Sequence, residues 1–410
     1  MAIFERKRHG ARSPWTARAF RLACIIGLSI FAASPGLGLT PAEKTGARGD
    51  DGAATRTFQV SDAAQLDAAL AGPAGRAGGV ILLETGRYGP LLVRGIEPAA
   101  PLLLQPAPGA SVVIGRITIQ TSSNVILQGL TVRDPLTVKN PNGITRAKSL
   151  IAVQRSRRIT VRNLDVASTD DASGWSLDDW LAYAKQGIIV KASDDVTIAE
   201  NRIANVYMGI TAQGGANLRI LSNTVREFAG DGIRPLADGT LVDSNVIFDC
   251  VKVNNNHDDG IQVWAPKNPD REQGRRSPGV VRDIIIRNNT IHQEKTQAPL
   301  RCPALQGIAL FNGMYDGFLI ENNTVAVDHW NGITVFGATR SIIRGNTVRF
   351  TPGSTRRRKG KKPTWIEVAP HKNGTPSEAI TVENNSAHRF RLESVVGLTE
   401  RGNREIEIGE

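Results

Sequence analysis

Residues 186–236, QGIIVKASDDVTIAENRIANVYMGITAQGGANLRILSNTVREFAGDGIRPL, carry the pattern that decides the fold. A Gly-Ile pair occurs three times here, at Gly187, Gly209 and Gly232, with spacings of 22 and 23 residues. It returns at Gly260, Gly307 and Gly332; the last spacing is 25, and the longer gaps of 28 and 47 hold polar insertions. A second register runs beside it at Asn201, Asn223, Asn245, Asn289, Asn323 and Asn346, each after a short apolar strand such as VTIAENRI or FLIENNTV. Each period thus carries two or three strands of four to six residues, with β-branched side chains at alternating positions facing a core. One period cannot bury its own apolar face, but stacked neighbours can. A period near 22 residues with short strands predicts an all-β chain coiled as a single right-handed parallel β-helix. The LxxLxLxxN pattern of leucine-rich repeats is absent, and propeller repeats are about twice as long. Asn after a strand tolerates left-handed backbone and lets the chain turn. Stacked in register, the Asn amides are expected to bond one above another as a ladder inside the coil.

Working toward the N-terminus, SDAAQLDAAL (Ser61–Leu70) begins with a good N-cap and is amphipathic, which predicts a short helix over the open end of the coil. Such a cap shields strand edges that otherwise invite aggregation. GGVILLETGRYGPLLV then leads into the first turn. The repeat, the capping helix and the GGVILLETGRY segment resemble the pectate-lyase-like right-handed β-helix superfamily, over residues of about 57 to 400. The N-terminal segment is most similar to alginate-lyase and chondroitinase-B-type polysaccharide lyases. The resemblance implies the fold; the reaction is open, since such folds host lyases, hydrolases, epimerases and non-enzymes. The Lys-and-Arg catalytic motif of those lyases has no evident counterpart in this chain.

The first forty or so residues read as an export signal. Arg6, Lys7, Arg8, Arg12, Arg18 and Arg21 form a basic stretch, and an uncharged apolar run follows from Leu22 to Leu39. Small residues and prolines then suit a cleavage zone, so residues 1–42 are expected to be a signal peptide and 43–56 a linker. The β-helix is expected over 57–400, with 401–410 as a tail, in a periplasmic or secreted protein. The net charge of +11 resolves into two local patches. Residues 1–21 hold six cations and one acid, and the run from Arg356 to Lys362 adds six more cations, which together account for all eleven charges. A neutral body with one basic tuft is not the distributed surface of a nucleic-acid-binding protein. The tuft suits either a solvated loop or a contact to anionic glycan. Beyond the signal only Cys250 and Cys302 remain, and they either pair or stand as separate buried thiols.

Function on such a scaffold is expected in the insertions. These are residues 167–186, where Ser176 and Asp179 suit a capping box, 265–279, 292–306 and the basic 351–378. If each Ile of the Gly-Ile pairs points inward, the outward pairs are Ile189/Lys191, Thr211/Gln213, Arg234/Leu236, Gln262/Trp264, Ala309/Phe311 and Thr334/Phe336. The strip of Trp264, Phe311 and Phe336 suits either sugar faces or packing beneath the insertions. The residue before each Gly forms another column: Gln186, Met208, Asp231, Asp259, Gln306 and Asn331. Its richest segment is NNNHDDGIQVW, with His257, Asp258 and Asp259, and Tyr207, His329 and Trp330 approach the same corner in other turns. Asp-Gly and Asn-Gly are also ordinary turn chemistry.

Adjacent turns lie about 4.8 Å apart, so Asp231 and Asp259 at equivalent positions are closer than the roughly 6.5–9.5 Å of an inverting hydrolase. That spacing suits a Ca²⁺ site built from Asp231, Asp258 and Asp259, or two acids sharing a proton. The expected catalytic group is therefore His257, Asp258, Asp259, Asp231 and Arg234. Lys191, Tyr207, Gln213, Gln262, Trp264, Phe311, His329 and Phe336 are expected to bind substrate. Lyase action on a uronic-acid polysaccharide, with C5-epimerisation as its sibling, leads the expectations. HDDGIQV also resembles the paired-Asp segment of polygalacturonases, although their Gly-His-Gly and Arg-Ile-Lys segments have no match here. A non-catalytic glycan-binding module is the third expectation.

Overall fold

Strands of successive turns pair only in parallel, and three long sheets result, of 13, 11 and 12 strands. The computed structural model describes residues 56–136, 139–265, 279–293, 300–351 and 362–407. The expected signal peptide, most of the linker and most of the basic tuft lie outside these residues, as does much of the 265–279, 292–306 and 351–378 insertions. The 11-stranded sheet contains every Gly-Ile strand, among them Gln186–Lys191, Ile210–Gln213, Ile233–Leu236, Asp259–Trp264, Gln306–Asn312 and Asn331–Phe336. The chain is a single parallel β-helix, as its repeats require. A short five-stranded sheet joins the later turns, from Val280–Arg282 to Val395–Val396.

The register stacks Ile188, Ile210, Ile233, Ile261, Ile308 and Ile333 in one inward column, all fully buried. Burial of an Ile contributes about 1.5–3 kcal/mol, so this column alone is a substantial part of the driving force. The glycines are demanded by the same stacking. A Cβ at Gly232 would lie 2.6 Å from the Gly260 carbonyl oxygen and 2.5 Å from Ile247 Cγ2. At Gly209 the corresponding distances are 2.3 Å to Gly232 O and 2.5 Å to Val225 Cγ1. The corner between the 12-stranded and Gly-Ile sheets is therefore too tight for any side chain.

The asparagine ladder forms inside the opposite corner. Asn201, Asn223, Asn245, Asn289, Asn323, Asn346 and Asn385 each pass an amide Nδ2 hydrogen bond to the Oδ1 of the next, ending at Asn403, at 2.9–3.0 Å. The backbone N–H of each donor asparagine reaches the same oxygen. The left-handed residue is not the asparagine but the one before it: Glu200, Ser222, Ser244, Asn288, Asn322 and Asn384 have φ between 53° and 60°. The ladder asparagine needs ordinary backbone to aim its amide along the axis, so the strained position moves one residue back. A second, shorter stack has Ser122 N donating to Ser156 Oγ and Ser156 N to Ser193 Oγ.

Both ends differ from expectation. The cap is helix α1 (Ala63–Ala71), whose N-cap is Asp62 rather than Ser61; its carboxylate accepts from Gln65 N at 2.8 Å. A second short helix, α2 (Pro73–Ala77), follows it. At the other end the coil runs past residue 400, because Asn403 joins the ladder and Arg404–Glu405 pairs with Ser386–Ala387.

Gly232→Ala should lower stability by about 1–3 kcal/mol through overpacking. Asn245→Ala strands the Asn223 backbone and side-chain donors and should cost about 1–3 kcal/mol per group left unsatisfied. Urea midpoints of the two variants check both values, and an unchanged midpoint would mean that the turns spread freely.

Candidate functional site

The corner where the 12-stranded sheet hands over to the Gly-Ile sheet carries insertions in several turns. Helix α3 (Leu177–Tyr183) belongs to one, and its expected capping box is present: Asp179 N donates to Ser176 Oγ at 3.2 Å and Ser176 N to Asp179 Oδ2 at 3.0 Å. Another insertion is tied down by a disulfide between Cys250 and Cys302, whose Cα atoms are 5.4 Å apart. The open question of pairing is thus answered by proximity in the fold. Ile144, Trp180, Ala184, Tyr207, Met208, Ala229 and Val253 form a small second core over this corner.

Under that core the acidic column is buried. Asp231, Asp258 and Asp259 are 4%, 3% and 0% exposed. Asp259 N donates to Asp231 Oδ1 at 3.3 Å, so the two residues do stack in successive turns. Each carboxyl holds a side chain closer to the surface. Arg234 Nε lies 3.6 Å from Asp231 Oδ2, and Gln262 Nε2 donates to Asp259 Oδ2. Lys252 Nζ lies 3.0 Å from Asp258 Oδ2 and also donates to Asn256 O. The Arg234 guanidinium sits 5.6 Å from the Trp264 ring centroid.

Burial dominates the electrostatics. It pushes Asp231 up to about 6 although Arg234 pulls the other way. It pushes Asp258 up to about 7 against the pull of Lys252. Asp259 is raised well above the ordinary carboxyl range by burial and by the neighbouring charge of Asp231. Oδ1 of Asp258 and Oδ1 of Asp259 are buried without a hydrogen-bond partner, so a negative charge on either is poorly supported. Tyr207 shares the neighbourhood of Asp231, Arg234 and Asp258, hydrogen-bonds to the Asn254 side chain, and is likewise raised by burial.

The residues do not fit a Ca²⁺ cage. Among the described residues, Cys250, Asp258 and Cys302 are the trio of ligating types whose atoms come within 4.8 Å of one another; the three aspartates are not. Arg234 and Lys252 already compensate two of them. In this arrangement Asp231 and Asp258, expected as metal ligands, are engaged by Arg234 and Lys252, and Asp259 accepts from Gln262.

Other expected site residues separate. His257 is exposed at the lip of the 251–258 segment. His329 is two strands beyond Asp259, where its Nδ1 accepts from Asn331 N and its ring packs 4.0 Å from Trp330. Lys191 is exposed and Gln213 half-buried; they lie two strands and one strand from the Arg234 strand, in the second outward column, whereas Arg234 stands in the first. The aromatic strip is broken by a bulge: Trp264 pairs with Asn312, not Phe311. Phe311 and Phe336 remain adjacent at 5.2 Å, with Lys372 Nζ 5.9 Å from the Phe311 centroid. The first outward column is also less open than the alternation implied, since Ala309 and Thr334 are fully covered. Lys252 was not anticipated; its signal is that the 251–258 corner is long enough to fold a cation back onto Asp258.

The family model for the right handed beta helix region matches residues 115–269 and 185–348. Among solved structures, PfbA, a surface adhesin of Streptococcus pneumoniae, is similar at 11% identity with a TM-score of 0.51, over 84% of this chain and 87% of that one. The Dettilon tailspike protein is similar at 15% identity and TM-score 0.48; the match covers 80% of this chain and spans only 59% of the tailspike. An alginate lyase from Paenibacillus sp. shows 13% identity and TM-score 0.42, over 85% of this chain and 99% of the lyase. No curated protein matches the chain. Likeness at these identities shows the fold.

The folded pKa of Asp258 lies above its unfolded value near 3.9, so the folded state binds the extra proton between about pH 4 and 7. Its contribution to stability falls as pH rises through that window. The stability of the wild type relative to Asp258→Asn should therefore decline from pH 5 to pH 8 in urea unfolding, and a pH-independent difference would refute the raised acid.

Proposed function

We propose that this chain, which belongs to the right-handed β-helix family, is an exported carbohydrate-active protein that cleaves a uronic-acid polysaccharide by β-elimination. The observation that carries the reading is the Arg234 guanidinium. It is held at the surface of the Gly-Ile sheet by buried Asp231 and lies beside Trp264 and Gln262. A guanidinium binds a sugar carboxylate bidentately, and an indole offers a face to the pyranose ring. Neutralising that carboxylate acidifies the C5 proton. Asp258, with its acidity shifted to about 7, has the basicity to accept it near neutral pH. The electron pair left at C5 forms the C4–C5 double bond, the C4–O bond breaks, and the Tyr207 hydroxyl protonates the departing oxygen. Asp231 and Asp259 are positioning residues in this scheme, because their carboxyls hold Arg234 and Gln262. The disulfide and the basic-then-apolar N-terminus support an oxidising compartment, periplasmic or external. No described helix is long and apolar enough to cross a membrane.

A glycoside hydrolase is the second reading, and the stacked Asp231 and Asp259 favour it: carboxyls kept protonated by burial supply a neutral general acid. pH separates the two. A lyase using ionised Asp258 gains rate as pH rises through about 7, whereas a hydrolase using the protonated pair loses it. The mature protein, assayed on alginate, pectate, glycosaminoglycans and neutral glycans, should release reducing ends together with the ultraviolet absorbance of unsaturated uronate. Arg234→Ala should lower kcat/KM by about 100-fold or more, in the range of a lost transition-state charge contact. Reducing ends alone would select the hydrolase; silence with retained binding would select a glycan-binding module.

A further inference from the structure

A pocket that includes none of Asp231, Asp258, Asp259 or Arg234 in its lining opens beside the small corner core. It is a cavity of about 560 Å³ enclosed by the α3 insertion, the 12-stranded sheet and the segment around Cys302. Its size falls in the range of small-ligand sites, about 300–1,000 Å³. Trp175 and Trp180 form an aromatic corner, their rings 5.2 Å apart and nearly perpendicular at 84°, and Leu300 faces them. Asn205, Glu227 and Arg301 supply the polar groups of the lining.

Two features show that this cavity is built rather than left over. Two of its walls are pinned: α3 by the Ser176–Asp179 capping box, and residues 300–302 by the disulfide, with Cys302 N donating to Cys250 O at 2.9 Å. Arg301 is aimed inward with most of its side chain buried, ion-paired to Asp249, yet its Nε is buried without a hydrogen-bond partner. A buried donor left in this way is available to an acceptor oxygen, from a ligand or from water.

The lining also selects the ligand. The charges cancel, because Arg301 pairs with Asp249 and Glu227 with Arg226. A net-neutral cavity disfavours a uronate or a phosphate, and three polar groups disfavour a plain acyl chain. Two indoles with a donor, a carboxylate acceptor and an amide match one chemistry: a ring with an apolar face and a hydroxyl edge. We infer that this cavity is a binding site for a neutral sugar residue, distinct from the Arg234 face and occupied by an unbranched end or a neutral side group of a glycan. The inference does not depend on the elimination chemistry proposed above.

The test follows tryptophan fluorescence and calorimetry of the mature, disulfide-bonded protein with maltotriose, cellotriose, mannotriose and β-1,4-galactotriose, and with trigalacturonate and a dodecyl detergent as contrasts. At least one neutral trisaccharide should perturb the fluorescence, and trigalacturonate should not compete with it. Trp175→Ala should weaken that binding at least 10-fold, and Trp175→Phe should retain most of it, which separates lost contact from lost folding. Arg234→Ala should bind the trisaccharide as the parent does, whatever happens to polysaccharide cleavage. Absence of neutral-sugar binding, preference for trigalacturonate or the detergent, or full affinity in Trp175→Ala would each overturn the inference.

Discussion

The close approach of successive turns at the glycine corner is the constraint on which the rest of the molecule depends. Parallel strands stack about 4.8 Å apart, and at Gly209, Gly232, Gly260 and Gly307 the backbone of one turn meets the carbonyl of the next. No side chain fits there. Because the corner is closed by backbone alone, the residues on either side of each glycine are forced into register: isoleucine inward after it, and Asp231, Asp259, Gln306 or Asn331 before it. The asparagine ladder holds the opposite corner by a different means, supplying donors and acceptors along the axis where the backbone turns away from its neighbours. The two devices together hold the turns in register at the two corners, and the shifts that do occur fall elsewhere, as at the bulge after Val263.

That rigidity is what makes a buried acidic column tolerable. Three carboxyls at 4% exposure or less are costly unless compensated, and the fold compensates them with side chains that reach toward the surface. Arg234 and Gln262 are consequently held by Asp231 and Asp259, while Lys252 folds back onto Asp258. The surface chemistry of the Gly-Ile sheet is therefore set from beneath. The insertions add a second layer of control: the small core around Trp180, Tyr207 and Met208 lowers the local dielectric, raising the acids, and Trp180 also lines the aromatic cavity.

The repeat made most of the scaffold legible in advance. Gly-Ile spacing gave the turns, and alternation gave the inward isoleucines. Asn201 through Asn346 were legible as a ladder because one side chain per turn at constant spacing has one stacking geometry. The ladder residues were misread only in which backbone is left-handed, since Glu200 and Ser222 carry no such signature. Asp231 and Asp259 were correctly placed one above the other, but their exposure was not legible. Alternation says which way a side chain points and nothing about what an insertion lays over it. Hence Ala309 and Thr334, outward by pattern, are fully covered, and the bulge after Val263 breaks an aromatic strip that counting residues made continuous.

What the sequence by itself determined is everything periodic: fold class, sheet membership, core face and ladder, because a repeated local rule propagates from one turn to the next. What only the tertiary structure decided lies in the aperiodic parts. The Cys250–Cys302 link, the return of Lys252 to Asp258, the separation of His329 from the acids and the Trp175–Trp180 corner all join segments whose sequence separation carries no period. Their meeting depends on how insertions of unequal length pack over one corner, and the balance between burial and ion pairing there is settled only once every neighbour is in place.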